Sequence, residues 1–208
     1  MKIAIIGVGN MGAGLARAFA SANIDMVIGA RNPAKAAALA AEIGPRAESG
    51  GVAAAFKLAD VAILALPYGA AGDALKAAGD VSGKVIVDIS NPVTADFRSL
   101  VVGHTSSAAE ELQALAPKAM IVKAFNTIFA GLLSAEARKG KTLQTFVAGD
   151  DPGAKEAVSK LAKAIGFESV DAGPLSNSRF LEPIGEMNIH FGFFLGWGPA
   201  TAPAWIRI

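Results

Sequence analysis

The chain has 208 residues, 52% of them hydrophobic and 18% charged, which excludes a disordered segment and allows one domain with a sizeable core. The formal net charge is +1, with Lys and Arg spread along the chain, so neither nucleic acid nor an anionic membrane surface is an expected partner. There are no cysteines and two histidines, which excludes disulfides and thiolate chemistry, makes a metal site improbable and fits a cytoplasmic protein.

The first apolar run, Lys2 to Ile6, is too short for a secretory signal and ends in glycines, so it reads as a strand. It leads into Gly7-Val8-Gly9-Asn10-Met11-Gly12 and a helix over Met11–Ser21. A second strand, MVIGA, runs to Ala30. Asn32-Pro33 then marks a capped helix start over Pro33–Ile43. VAILAL, KVIVDIS and MIVKAF are further strands, with a helix over Ala108–Ala116 between the last two. Continuous apolar runs of this kind belong to a parallel sheet covered on both faces. A late β-α-β unit follows, from TFVAG through Asp151-Pro152 to ESVDAG. Ser176-Asn177-Ser178 opens a last apolar helix towards Phe194. The stretch from His190 to Ile206 is broken by glycines and prolines, so it reads as a buried or interfacial helix and not a membrane span.

Seven strands alternating with helices predict an α/β, Rossmann-type, doubly wound and mostly parallel sheet. The expected organisation is a single domain over 1–208, with a core at 1–150 and the C-terminal β-α-β unit and last helix at 151–208.

The GxGxxG run between a strand and a helix is the dinucleotide fingerprint. Gly7 permits the tight turn, Gly9 leaves room for the pyrophosphate, and Gly12 lets the helix approach the sheet. The diphosphate would rest on the free N–H groups at the helix start. Where NAD-binding chains carry an acidic residue after the second strand, this chain has Arg31, and Asp25 lies at the wrong end of that strand. A guanidinium pairs with a 2′-phosphate, and Lys35, one helical turn on, adds charge. NADP is therefore expected over NAD.

With these motifs placed, the chain resembles the coenzyme F420-dependent NADP reductase family. The same segments resemble the cytosolic NADPH domain of the six-transmembrane ferric reductases. GVGNMG, VIGARNP, VDISNP, SSAAEEL, VKAFNTIFA and DAGPLSNSR carry the likeness nearly end to end. It implies that Val8 to Met11 line the pyrophosphate and that Arg31 and Lys35 hold the 2′-phosphate. Ala30 stands where the family often has serine. Pro67 and Tyr68 would flank the cofactor, and Asn91, Pro92 and Val93 lie after the next strand, at the sheet edge. Thr127, Ile128 and Ala130 would line the pocket for the nicotinamide and the acceptor ring, with Phe129 beside them. Asn126 replaces a histidine of the archaeal members, and the tail GWGPATAPAWIRI departs from theirs.

The implied function is hydride transfer between NADPH and F420 or a similar deazaflavin or flavin, with a small-molecule redox cofactor as second substrate. No catalytic acid or base is expected, since the cofactors carry the chemistry. Alternatives are an NADPH:flavin (FMN or FAD) reductase or flavin-mediated ferric reductase, and a non-enzymatic NADP-binding redox sensor. A hydroxy-acid, alcohol or imine dehydrogenase ranks lower, because the chain is too short for a helical substrate domain and has no lysine after Lys163. The last helix, with Phe191, Phe193, Phe194 and Leu195, suits a homodimer contact. Trp197 and Trp205 are read as packing residues, and His190 as a buried structural histidine. Glu110, Glu111, Glu182 and Glu186 are spaced like helix-surface charges.

Overall fold

The computed structural model describes residues 1–206 and 208, so Arg207 of the terminal run lies outside the described residues. Its strands are β1 (Ile3–Ile6), β2 (Met26–Gly29), β3 (Ala47–Gly50), β4 (Val61–Leu64), β5 (Val85–Asp88), β6 (Met120–Lys123), β7 (Gln144–Gly149) and β8 (Glu168–Asp171). They form one sheet in the order β3-β2-β1-β4-β5-β6-β7-β8. β1 to β6 are parallel, β7 runs antiparallel to β6, and β8 is parallel to β7. The expected mostly parallel α/β sheet is therefore present, with strand order changing direction at β1 and β4. Ligands of open α/β sheets bind at such a switch point.

Among the described residues seven α-helices cover the two faces: α1 (Asn10–Ser21), α2 (Pro33–Ile43), α3 (Val52–Leu58), α4 (Tyr68–Ala78), α5 (Ala108–Leu115), α6 (Pro152–Ala164) and α7 (Ser178–Ile189). β1 sits between β2 and β4 in strict register, with Ile5 beside Ile28 and Ile63. Side chains alternate across a strand, so Ile3, Ile5, Ile28 and Ile63 join Leu15 and Phe19 of α1 on one face. Ala4, Ile6, Val27 and Leu64 meet Phe56 of α3 and Leu75 of α4 on the other. No described helix is long and apolar enough to cross a membrane.

β3, Ala-Glu-Ser-Gly, escaped the sequence reading because it is an edge strand. It pairs only with β2, so it needs no apolar run on two faces. Asn32 accepts hydrogen bonds from the Ala34 and Lys35 N–H groups, at 3.0 and 3.3 Å, and Asp151 caps α6 through the Ala154 N–H at 2.7 Å. α7 passes into a π-helical stretch over His190–Phe194.

The reading of Glu182 and Glu186 as surface charges is corrected here. Glu182 is 1% exposed and lies 2.7 Å from the Lys123 ammonium, which also pairs with Asp88. Lys123 donates further to the Ser90 carbonyl at 2.8 Å. Glu182 accepts from the Ala108 and Ala109 N–H groups at 3.0 and 3.3 Å, capping α5 from a distant helix. Burial pushes the Glu182 carboxyl up, against the pull of Lys123. Glu186 is also buried, and its Oε1 lies 3.3 Å from His190 Nε2. His190 itself is half-buried, with its ring against Phe194. Periodicity could not find the Glu182 cluster because its partners lie on β6 and α5, whereas Glu186 meets His190 one helical turn along its own helix.

Removing Lys123 leaves two carboxylates buried together. Lys123→Ala is expected to cost about 3–5 kcal/mol of unfolding free energy, read from the urea midpoint. Lys2→Ala, which breaks the exposed Lys2–Glu48 pair, should cost under about 1 kcal/mol. Equal losses would contradict the weight placed on the buried cluster.

Candidate functional site

The site is built at the carboxyl ends of β1, β2, β4, β5 and β6. Gly7 leaves β1 at a φ of +115°, and a Cβ there would lie 2.2 Å from the Ala65 carbonyl oxygen. At Gly12 a Cβ would lie 2.0 Å from the Gly7 carbonyl oxygen, so the turn and α1 close only with glycine at both positions. Gly9 differs, because a Cβ there meets nothing within 4 Å. It is the N-cap of α1 without a side-chain cap, and no acidic residue stands in the first turn. The open space over Gly9 therefore faces uncompensated N–H groups and the positive helix end, which suits a diphosphate.

Two clefts flank this turn. The first, about 570 Å³, runs between the β1–α1 and β2–α2 turns and α4, and is lined by Gly7, Val8, Ala30, Arg31, Asn32 and Lys35 among others. Arg31 and Lys35 are exposed, and neither forms a salt bridge among the described residues. Asp73 of α4 lies on the same cleft, a carboxylate the local sequence around Arg31 did not reveal. It lies 3.6 Å from Lys76, one turn along its own helix.

The second cleft, about 680 Å³, is lined by Gly9, Asn10, Met11, Leu66, Pro67 and Ile89, with an aromatic wall of Phe97, Phe129, Phe193 and Phe194. Among the described residues no charged side chain lines it. Phe129 and Phe193 meet edge to face at 5.4 Å. Leu66 lines both clefts, so they adjoin at the β4–α4 turn.

The remaining expected residues lie around this wall. Asn91 and Asn126 are reciprocally bonded: Asn91 Nδ2 donates to the Asn126 carbonyl at 2.8 Å, and Asn126 Nδ2 donates to Asn91 Oδ1 at 2.9 Å and to the Leu181 carbonyl at 2.8 Å. A Cβ at Gly185 would lie 2.5 Å from the Asn91 amide, so α7 packs directly on it. Asn91 and Asn126 thus tie α7 to the sheet edge. Pro92 is buried, and Val93 bridges to Leu100 across the loop. Thr127 and Ile128 are buried, the latter in the main core, and Asn188 Nδ2 donates to the Thr127 carbonyl at 3.1 Å. Ala130 lies on a separate groove with Gly14 and Arg17. Of this segment it is Phe129 that reaches the cleft. Phe125 carries a φ of +59° as the chain leaves β6, which turns the segment across the sheet edge.

Pro67 lines the apolar cleft, while the Tyr68 hydroxyl donates to Glu111 at 2.6 Å. That hydrogen bond and burial push the phenol up to about 12, so it stays protonated. Trp205 packs on Phe146 and Trp197 on Phe191, and neither lines the cleft. Among the described residues no cluster of three or more His, Asp or Glu side chains has the arrangement of a metal site.

The family described as NADP oxidoreductase, coenzyme F420-dependent, matches residues 2–92, which hold the glycine turn and both cleft-facing cations. The F420-dependent NADP reductase of Methanothermobacter thermautotrophicus is 31% identical over 200 residues, covering 88% of this chain and 86% of its own. The chain belongs to the F420-dependent NADP reductase family. That places it among NADP-dependent oxidoreductases. A crystal structure assigned as an F420-dependent NADP reductase, from Arthrobacter sp. FB24, superimposes with a TM-score of 0.85 at 30% identity, covering 94% of this chain and 95% of the other. Metalloreductase STEAP3 of Rattus norvegicus is 32% identical over 88% of this chain, and the match spans 36% of that longer protein.

The different surroundings of Gly9 and Gly12 make the two separable by experiment. Gly9→Val is expected to leave the melting temperature nearly unchanged while abolishing dinucleotide binding by calorimetry. Gly12→Ala should instead destabilise the fold, by roughly 1–3 kcal/mol for overpacking. A Gly9→Val protein that still binds NADPH would contradict the placement of the diphosphate.

Proposed function

We propose that the chain binds NADPH across both clefts and passes its hydride to coenzyme F420, or a similar deazaflavin or flavin, held against the aromatic wall. The observation that carries this reading is the contrast between the two clefts. One is lined by Arg31 and Lys35, which form no salt bridge among the described residues, with Asp73 across from them, and the other has no charged lining among the described residues, with an open helix start between them. Arg31 and Lys35 would hold the 2′-phosphate, and the backbone from Gly7 to Met11 the diphosphate. When bound, NADPH supplies a hydride, and the acceptor ring takes it.

The chain's own residues bind, align and exclude water. Phe97, Phe129, Phe193 and Phe194 offer faces and edges for a planar ring, and Met11, Leu66 and Ile89 close the space around it. Chemistry carried by the cofactors asks for no acid or base in this cleft. A second reading, flavin-mediated ferric reduction, is favoured by the likeness to metalloreductase STEAP3. We also propose a homodimer joined through the apolar end of the chain, where Phe180, Leu195 and Trp197 are exposed. Sedimentation at micromolar concentration tests this, and a monomer there would contradict it.

Anaerobic NADPH oxidation with F420, and side by side with FMN, tests the proposal. Turnover with F420 supports the deazaflavin reading, turnover with FMN alone supports the flavin reductase, and NADPH binding without reduction of either supports a sensor. Arg31→Glu is expected to weaken NADPH by about 2 kcal/mol or more, roughly thirtyfold in Kd, with little change for NADH. Equal losses for the two nucleotides would undo the 2′-phosphate assignment.

A further inference from the structure

The apolar cleft explains how a ring is held but not how one acceptor is told from another. Its rim holds a cation with no assigned role. Arg98 lies in the loop after β5, exposed, with its guanidinium 4.5 Å above the Phe194 ring centroid. Phe194 is itself part of the cleft wall. Arg98 has no salt-bridge partner among the described residues. The nearest acid in sequence, Asp96, is already engaged. It accepts from the Thr94 hydroxyl and from the Arg98 backbone N–H at 3.2 Å.

The loop is built to hold this arrangement. Thr94 Oγ1 accepts from the Arg98 and Ser99 N–H groups at 3.4 and 3.2 Å. Between them Phe97 is held at a φ of +57°, a conformation costly for an aromatic residue. It lines the cleft immediately before the arginine. Backbone strain is thus spent where one residue adds to the aromatic wall and the next sets a guanidinium at its rim. His190 packs on Phe194 as well, at 4.9 Å, with its Nε2 3.3 Å from Glu186, whereas Arg98 forms no salt bridge among the described residues.

We propose that Arg98 is the acceptor-specificity residue: it binds the phosphate of an acceptor whose ring lies against the aromatic wall and whose tail leaves across Phe194. The proposal rests on the hydride-transfer reading above. The chemistry recognised is a planar redox ring on a polyol phosphate, found both in F420 and in FMN. A guanidinium on an apolar face is weakly hydrated and matches a phosphate in a two-pronged geometry. A ring without a phosphate would fill the same cleft and gain nothing from Arg98.

Two matched pairs of acceptors test this: F420 against the same deazaflavin lacking its phosphate tail, and FMN against riboflavin. The wild type should show the lower KM for the phosphate-bearing member of whichever pair it reduces. Arg98→Ala should raise that KM roughly tenfold, as loss of a partly exposed charge-assisted contact, with kcat and NADPH affinity unchanged. The KM of the phosphate-free member should not move, and Arg98→Lys should restore part of the preference. Equal KM values within both pairs would overturn the proposal while leaving hydride transfer intact. So would an Arg98→Ala protein that loses both members of a pair alike, since Arg98 would then act only by holding Phe194. Reduction of none of the four acceptors would overturn the hydride-transfer reading, and the subsite with it.

Discussion

The Lys123 ammonium, buried at the end of β6 between Asp88 and Glu182, is the interaction on which the rest of the site depends. Asp88 ends β5, Lys123 ends β6, and Glu182 belongs to α7. The cluster therefore fastens the last helix to the carboxyl edge of the parallel sheet. Glu182 reaches on to the first N–H groups of α5, so one carboxylate serves a strand lysine and a helix start together. Such a group is costly to desolvate, and leaving any member alone is costlier still. The arrangement consequently has one register. Asn91 and Asn126 repeat the tie one layer further out, where Gly185 lets α7 come down on the Asn91 amide.

Once α7 is fixed, the apolar cleft follows. Ile189, Phe193 and Phe194 continue from that helix and its π-helical end, and meet Phe129 from the segment after β6. The opposite cleft needs none of this. It is formed by the first two β-α turns, which are held by glycine contacts and by the Asn32 cap. The molecule thus combines a cation-bearing half determined by local sequence with an apolar half determined by long-range packing.

That division also sets what could be read from the amino-acid sequence. The alternating strands and helices, the GxGxxG turn and the two cations after β2 were legible because each depends on neighbours in the chain. Arg31 and Lys35 do stand on one cleft with Gly7 and Val8. Asp73 was missed because it approaches from α4, and β3 because an edge strand has no distinctive composition. In the VKAFNTIFA segment the sequence offers Thr127, Ile128, Phe129 and Ala130 alike. After the left-handed turn at Phe125, Phe129 lines the cleft and Ile128 lies in the core. No periodicity signals such a turn. Glu182 and Glu186 fooled the reading for a related reason: helical spacing reports which residues share a face, not what covers that face.

Direct hydride passage from NADPH to a ring in the apolar cleft is tested by a single anaerobic turnover with NADPH deuterated at the transferred position of the nicotinamide and F420 as acceptor. The reduced deazaflavin should carry the deuterium on ring carbon, without loss to solvent. Reduced deazaflavin without the label, or oxidation of NADPH with no reduction of the ring, would contradict it.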